Sequence, residues 1–120
     1  MTRISEMFRR LKERNECALI PYLTAGDPAP ARTVELMLAL EKGGANLIEL
    51  GVPFSDPIAD GPVIQKASDR ALKAGTTFAA VLDILLRLHL TTGQVHEDGK
   101  ALLERVVSML VKLAKTQEGR

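Results

Sequence analysis

The feature that most constrains the fold is the alternation of short apolar runs with longer amphipathic stretches in the first half of the chain. Residues 17–23 read CALIPYL, an apolar run without polar alternation that is typical of a parallel strand buried on both faces. Residues 29–42 carry apolar side chains at helical spacing and end at a Gly-Gly pair that favours a helix terminus. A second short apolar run follows at residues 46–50. Strand, helix and strand with short joints predict a βαβ unit, and hence an α/β fold with a parallel sheet.

Amphipathic stretches on either side of this unit predict further helices. Residues 2–14 repeat apolar side chains at helical spacing behind Thr2, a residue type that favours a helix cap. Pro62 stands at an expected first helical position, and the helix that it begins would end before Gly75. Residues 78–89 carry an apolar stripe that is typical of one more helix. Two β/α units in series therefore follow the first helix.

The pattern changes after residue 89. Residues 90–99 (LTTGQVHEDG) contain no convincing buried strand where a third one would be due, so we expect a loop there, followed by an amphipathic helix over residues 100–117. The chain has 120 residues, whereas a complete (β/α)8 barrel takes roughly 250. We therefore predict a single domain, residues 1–120, in which residues 1–89 form a partial TIM barrel and the loop and the C-terminal helix follow.

Composition argues against several classes of function and of binding site. A formal charge of +1 and four aromatic residues favour neither nucleic acid nor a membrane as a partner, and no apolar stretch reaches the roughly 20 residues of a membrane-spanning helix. Cys17 has no second cysteine with which to pair, and His89 and His96 lie far from it in the sequence. We therefore expect no metal site, a solvated surface position for both histidines, and a location in the reducing cytoplasm.

Two carboxylates within residues 47–62 are the candidates for chemistry. Glu49 lies at the end of the second apolar run, and reactive groups of β/α barrels lie where strands end. Burial among apolar neighbours disfavours the charged form of a carboxylate and suits it to proton transfer near neutral pH. Asp60 follows in a loop rich in proline and glycine, where an ionised carboxylate could stabilise developing positive charge. The alternative is that Asp56 and Asp60 only form turns.

Three runs of sequence carry a resemblance to one enzyme family. They read ALIPYLTAGDP at residues 18–28, GANLIELGVPFSDPIADGPVIQKAS at residues 44–68 and RALKAGTT at residues 70–77. Together they closely resemble the tryptophan synthase α subunit, and the resemblance extends over residues 4–88. It implies a (β/α)8 barrel lyase of tryptophan biosynthesis that cleaves indole-3-glycerol phosphate to indole and glyceraldehyde 3-phosphate.

The same resemblance implies roles for individual residues. Glu49 matches the family's general acid/base, and Asp60 matches the loop aspartate that interacts with the indole ring nitrogen as positive charge develops there. Tyr22 occupies a position where the family places an aromatic side chain beside the substrate, although a strand-end core residue is an equal alternative. Ile64 is expected to line the same substrate pocket.

The resemblance also implies a partner. Pro53, Phe54, Ser55 and Asp56 match the mobile loop that closes over substrate and contacts the β subunit of a heterotetramer. The pyridoxal phosphate of the family belongs to that β subunit, so we expect no cofactor in this chain. The alternative function is that of a non-catalytic fragment that docks a β subunit through residues 53–60.

The chain departs from the family pattern in its second half. The Gly-rich loops and the short helix N-terminus that hold the substrate phosphate in the family have no counterpart here, since Gly93 and Gly99 are isolated. Residues 97–115 (EDGKALLERVVSMLVKLAK) are similar to the last helix of the family. Without a phosphate site we expect weak or absent lyase activity from this chain alone. The open edges of a two-stranded sheet also favour self-association.

Overall fold

The computed structural model of this chain describes residues 2–118, and the side chains of residues 2–109. In chain order the elements are α1 (Arg3–Arg14), β1 (Tyr22–Thr24), a 3-10 turn (Pro30–Arg32), α2 (Thr33–Lys42), β2 (Glu49–Gly51), α3 (Pro62–Lys73), α4 (Phe78–Arg87) and α5 (Gly93–Glu118). They divide into two compact units, Met1–Thr77 and Phe78–Arg120. This division falls earlier than the boundary at residue 89 that the sequence predicts, and the single domain stays a prediction.

The first unit is built on a parallel pair of strands. β1 and β2 pair in the register Tyr22 with Glu49, Leu23 with Leu50 and Thr24 with Gly51. Backbone hydrogen bonds continue at both ends of this register, because Glu49 N donates to Pro21 O over 3.0 Å and Ala25 N donates to Gly51 O over 2.8 Å. The predicted parallel sheet is confirmed.

The strands are shorter and less covered than predicted. The strands expected at residues 17–23 and 46–50 are found as three residues each. Leu19 and Ile20 are 55% and 39% exposed, so burial on both faces is wrong for the first apolar run. The physical reason is that a run of this kind needs helices packed on both faces of its sheet. Among the described residues, α3 is the helix that packs closely against β1.

Helix ends in the first unit follow the signals in the sequence. Thr2 caps α1, because Ser5 N donates to Thr2 Oγ1 over 3.2 Å and Thr2 N donates to Ser5 Oγ over 2.9 Å. Pro62 is the first residue of α3, where a helix does not need the missing N–H. Gly75 follows the end of that helix at φ +85°, a conformation that glycine adopts without strain. Both predicted helices are confirmed.

Close packing fixes the loop that leaves β1. Gly26, at φ +86°, donates its N–H to Oγ1 of Thr33, the first residue of α2, over 2.9 Å. Thr76, just beyond α3, lies directly against the same glycine, since a Cβ on residue 26 would meet Thr76 Oγ1 at 1.8 Å. All three residues are buried. The chain therefore leaves β1 along a path held by the ends of α2 and α3.

The second unit is a helical pair in which α4 and α5 pack together, with Val81 and Ile84 buried. His96 of α5 is buried too, and its Nε2 lies 2.7 Å from Asp83 Oδ1 of α4. Lys100 Nζ lies 2.9 Å from the same oxygen. A polar cluster thus links the two helices.

Two predictions for this region are wrong. α5 begins at Gly93, within the loop predicted for residues 90–99 and ahead of the helix predicted for residues 100–117, and Thr92 Oγ1 caps it by accepting from Val95 N over 3.3 Å. His96 was expected on the solvated surface, but α4 supplies both its cover and its acidic partner, which lies 13 positions away in sequence.

No helix of the described residues is long and apolar enough to cross a membrane.

Candidate functional site

Tyr22 and Glu49 lie side by side at the centre of the candidate site. They are opposite each other in the parallel ladder, and side chains at opposite positions point to the same face of a sheet. The Tyr22 ring extends over Gly51, because a Cβ on residue 51 would meet the phenol oxygen at 1.8 Å. The missing side chain at Gly51 therefore gives the ring its place on the face that carries Glu49.

Glu49 is exposed rather than buried, and it begins the regular strand instead of ending it. The expected apolar surroundings are wrong because two strands cannot enclose a side chain as a closed barrel does. The Glu49 carboxylate has no hydrogen bond or ion pair within the described part of the chain, so it is free to meet a ligand. Tyr22 is 44% exposed, which disfavours the alternative of a core residue.

Residues 52–61 form the loop that carries the second acid. Ile58 N donates to Asp56 O over 2.8 Å, and Asp60 N donates to Pro57 O over 3.1 Å. Ser55 Oγ donates to Asp56 Oδ2 over 2.8 Å. Asp56 therefore uses both its backbone and its side chain within the turn. Asp60 contributes only its backbone, and its exposed carboxylate has no partner among the described residues.

Gln65 ties this loop to α3. Its Nε2 donates to Asp60 O over 2.7 Å and to Pro57 O over 3.2 Å. Sequence reasoning missed this residue. A long amide side chain in the first turn of a helix that follows a loop was the available signal, but it is too common to single out one residue. The two bonds fix the backbone of Asp60 while its carboxylate stays exposed.

The residues expected to contact a partner differ in their exposure to solvent. Pro53 is buried, whereas Phe54, Ser55 and Asp56 are exposed. Phe54 and the nearby Ile58 are 62% and 94% exposed, which is unusual for large apolar side chains so close in sequence. Exposed apolar side chains that cluster on a loop are typical of an interaction surface.

A bidentate ion pair joins the loop after β1 to α3. Arg70 Nε and Nη2 donate to the two carboxylate oxygens of Asp27 over 2.8 and 2.7 Å. These hydrogen bonds hold the pKa of the Asp27 carboxyl below its usual range, while burial acts in the opposite direction. The two residues are 43 positions apart, so no local pattern in the sequence could have paired them.

The structure thus brings the predicted site residues into one compact unit but does not join them all. Tyr22 and Glu49 are neighbours, while Asp60 and the half-buried Ile64 flank the start of α3. No hydrogen bond links Glu49 to Asp60 in the described residues. Nor do the described residues hold a group of three or more histidine, cysteine or acidic side chains placed to bind a metal. Two unpaired carboxylates, one on a sheet face and one on a loop, can exchange protons and stabilise positive charge.

Known proteins resemble most of this chain. A family model described as tryptophan synthase alpha chain matches residues 8–95. The tryptophan synthase alpha chain of Solibacter usitatus is 63% identical over 92 residues, which cover 77% of this chain and 34% of the relative. That of Citrifermentans bemidjiense is 60% identical over 88 residues, covering 73% and 33%. The chain spans about a third of the length of the curated relatives it matches.

Solved structures give the same result in three dimensions. Tryptophan synthase subunit alpha from Legionella pneumophila aligns with a TM-score of 0.72 at 47% identity, covering 77% of this chain and 35% of that one. Tryptophan synthase from Mycobacterium tuberculosis aligns with a TM-score of 0.67 at 38% identity, covering 70% and 33%. These neighbours are TIM barrels, which confirms the predicted partial barrel. The chain belongs to the tryptophan synthase alpha chain family.

Proposed function

We propose that this chain carries the two catalytic acids, Glu49 and Asp60, of a tryptophan synthase α-type lyase, which cleaves indole-3-glycerol phosphate to indole and glyceraldehyde 3-phosphate. The observation that supports the proposal is the pair of unengaged carboxylates, Glu49 beside Tyr22 and Asp60 on the Gln65-tethered loop, within the segment that matches the family. A non-catalytic role restricted to docking is not favoured, because both of these acids are present.

The two acids have different tasks in this reaction. Glu49 gives a proton to the indole carbon that bears the glycerol chain, and it takes a proton from the hydroxyl that becomes the aldehyde. The bond between the indole carbon and the glycerol carbon then breaks, and its electron pair returns to the indole ring. Protonation of the ring carbon leaves positive charge at the ring nitrogen, which the ionised Asp60 carboxylate stabilises. Tyr22 and Ile64 contact the indole ring.

We expect a low rate from this chain alone. Glu49 and Asp60 are both exposed, and chemistry of this kind needs reacting groups held close to the geometry of the transition state. Gly93 and Gly99, which were isolated in the sequence, both lie within α5 rather than in a phosphate-binding loop.

A measurement of indole release tests the proposal. Glutamine keeps the shape of Glu49 but cannot exchange a proton, and a general acid/base contributes typically about 10²- to 10⁴-fold to a rate. Glu49→Gln should lower the rate by about 100-fold or to the uncatalysed level. Glu41→Gln changes an exposed glutamate of α2 in the same way and should leave the rate unchanged. Equal rates for the unmodified chain and Glu49→Gln would contradict the role of Glu49.

The proposed partner is a tryptophan synthase β subunit, which would contact the loop around Phe54 and Ile58. The support is the exposure of these two side chains and the family to which the chain belongs. Truncating a buried aromatic anchor commonly costs more than 1 kcal/mol of binding free energy, so Phe54→Ala should weaken binding to the purified β subunit by about fivefold or more. Leu38→Ala, at an exposed position of α2, serves as the control. Equal affinities for the unmodified chain and Phe54→Ala would remove Phe54 from the interface.

The cofactor and the location follow from the same proposal. The lyase step needs only the acids and the aromatic contact described above, and the pyridoxal phosphate of the family is expected in the β subunit. The cytoplasm is the proposed location, in keeping with the single cysteine, Cys17, which is exposed.

A further inference from the structure

The turn that bears Asp60 is held at both ends by one side chain. Gln65 Nε2 donates to Asp60 O over 2.7 Å and to Pro57 O over 3.2 Å. Asp60 N donates to the same Pro57 oxygen over 3.1 Å, so three hydrogen bonds close a ring across the turn. Among the described residues, no other side chain from outside residues 52–61 hydrogen-bonds to this loop. The geometry of the turn therefore depends on the amide of Gln65.

The backbone of Gln65 belongs to the first turn of α3. Pro62 begins this helix, and Gln65 N donates to Gly61 O over 3.0 Å. The helix in turn packs against β1. Ile64, which we expect to contact the indole ring, lies one position earlier in the same turn. Gln65 thus starts from a packed helix and reaches back to the exposed loop.

An amide suits this task because its nitrogen carries two hydrogens, one for each carbonyl oxygen. Glutamate has the same shape, but its carboxylate only accepts and would repel both carbonyl oxygens. Methionine is about as long as glutamine and fits the same helix, but its thioether has no hydrogen to donate. Only a side chain that donates can therefore hold the turn in this way.

We propose that Gln65 is a positioning residue for the carboxylate of Asp60. This inference rests on the proposed function in one respect, namely that Asp60 stabilises positive charge on the indole ring. The side chain of aspartate is short, so its carboxylate lies where the backbone of residue 60 places it. Displacement of a reacting group by about 1 Å can cost about 100-fold in rate. Gln65 is exposed, and water replaces part of a lost hydrogen bond, so we expect a smaller loss of about 10-fold without its amide.

Amide hydrogen exchange, followed by NMR, tests the hold on the turn without an assay of activity. Gln65→Met should speed exchange of the Asp60 N–H by about fivefold or more, the factor that corresponds to one ordinary hydrogen bond. The Ala25 N–H is bonded within the sheet and should be unchanged, because it reports on opening of the whole unit. Lys66→Met, at an exposed position of the same helix, is the matched control and should change neither amide.

Two results of this measurement overturn the proposal. One is exchange of the Asp60 N–H at the same rate in Gln65→Met and in the unmodified chain. The other is equal acceleration at Asp60 and Ala25, because it would show a general loss of stability instead of release of one turn.

The rate of indole release tests the consequence for catalysis. Gln65→Met should lower this rate about 10-fold in a chain that keeps Asp60, and by less than about twofold in an Asp60→Asn chain, since no charge is left to position. A loss of folded chain would lower both rates by the same factor, and that result, or no loss in either chain, overturns the proposal. A chain that releases no indole contradicts the proposed function instead, and the exchange measurement then decides whether Gln65 positions Asp60.

Discussion

At the scale of single residues, Gly26 lies between two buried threonines that act on it in opposite ways. Thr33 Oγ1 accepts the Gly26 N–H over 2.9 Å and so pairs a buried donor. Thr76 Oγ1 lies against the same glycine but has no hydrogen-bond partner in the described residues. An unpaired buried polar group costs roughly 1–3 kcal/mol of stability. One hydroxyl therefore stabilises the fold, and the other weakens it.

We expect opposite effects from one type of substitution at these two positions. Thr33→Val leaves the Gly26 N–H unpaired and should lower the free energy of unfolding by about 1–3 kcal/mol. Thr76→Val removes an unpaired hydroxyl at nearly constant volume and should be neutral or stabilising by up to about 1 kcal/mol. Urea unfolding followed by circular dichroism measures both changes. Equal destabilisation by the two substitutions would show that Thr76 has a partner after all.

The residues of the site were only partly predictable from the sequence. Glu49 and Tyr22 could each be placed on one of two apolar runs that pair in parallel, but the register that sets them opposite each other became known only from the structure. The exposure of these two side chains could not be predicted, because it depends on what covers the sheet and not on the apolar run in which each residue lies. Asp60 was identified through its loop, whereas Gln65, which holds that loop, makes contacts that no spacing rule describes.

At the scale of elements, α3 organises the first unit. It packs against β1, holds the loop that bears Asp60 through Gln65, and holds the loop after β1 through the Arg70–Asp27 ion pair. Both loops that follow the strands are thus attached to one helix. Movement of α3 would displace the surroundings of Glu49 and Asp60 together.

The Arg70–Asp27 pair predicts a dependence of stability on pH. Arg70 lowers the pKa of Asp27 in the folded chain, so the pair stabilises the fold above the ordinary carboxyl pKa, and its contribution is lost as the pH falls from about 4 downwards. Arg70 is half exposed, and screening limits the contribution to about 1 kcal/mol. Asp27→Asn should lower the free energy of unfolding by that amount at pH 7 and by progressively less below about pH 4.

The matched control is Asp69→Asn, which breaks the exposed Lys73–Asp69 pair on the same helix. An exposed pair of this kind contributes at most about 0.5 kcal/mol. If Asp27→Asn and Asp69→Asn lowered the free energy of unfolding equally across the pH range, the Asp27 pair would have no role in fixing the loop.

Helix ends were the most predictable elements, and the reasons are local. Thr2, Pro62 and Gly75 each satisfy a backbone requirement within a few residues, so the sequence shows them directly. The start of α5 was not predictable in this way. Its first turn, Gly93–His96, has few apolar side chains, and the contact of His96 with Asp83 on another helix helps to hold it.

At the scale of the whole molecule, the family of this chain is shown by its relatives, whereas its activity is a proposal. The match over residues 8–95 assigns the family, and the chain spans about a third of its relatives. Most of α5 lies beyond that match. Glu49 and Asp60 both lie in the first unit and within the matched residues.

Glu49 and Asp60 are proposed to act on one substrate in one reaction, and a double-mutant cycle on the rate of indole release shows whether they do. Residues that act as a unit in catalysis show strongly non-additive losses. We predict that the Glu49→Gln/Asp60→Asn double variant releases indole at the same rate as Glu49→Gln alone. A double variant slower than Glu49→Gln by the full factor that Asp60→Asn causes in the unmodified chain would show that the two acids act independently.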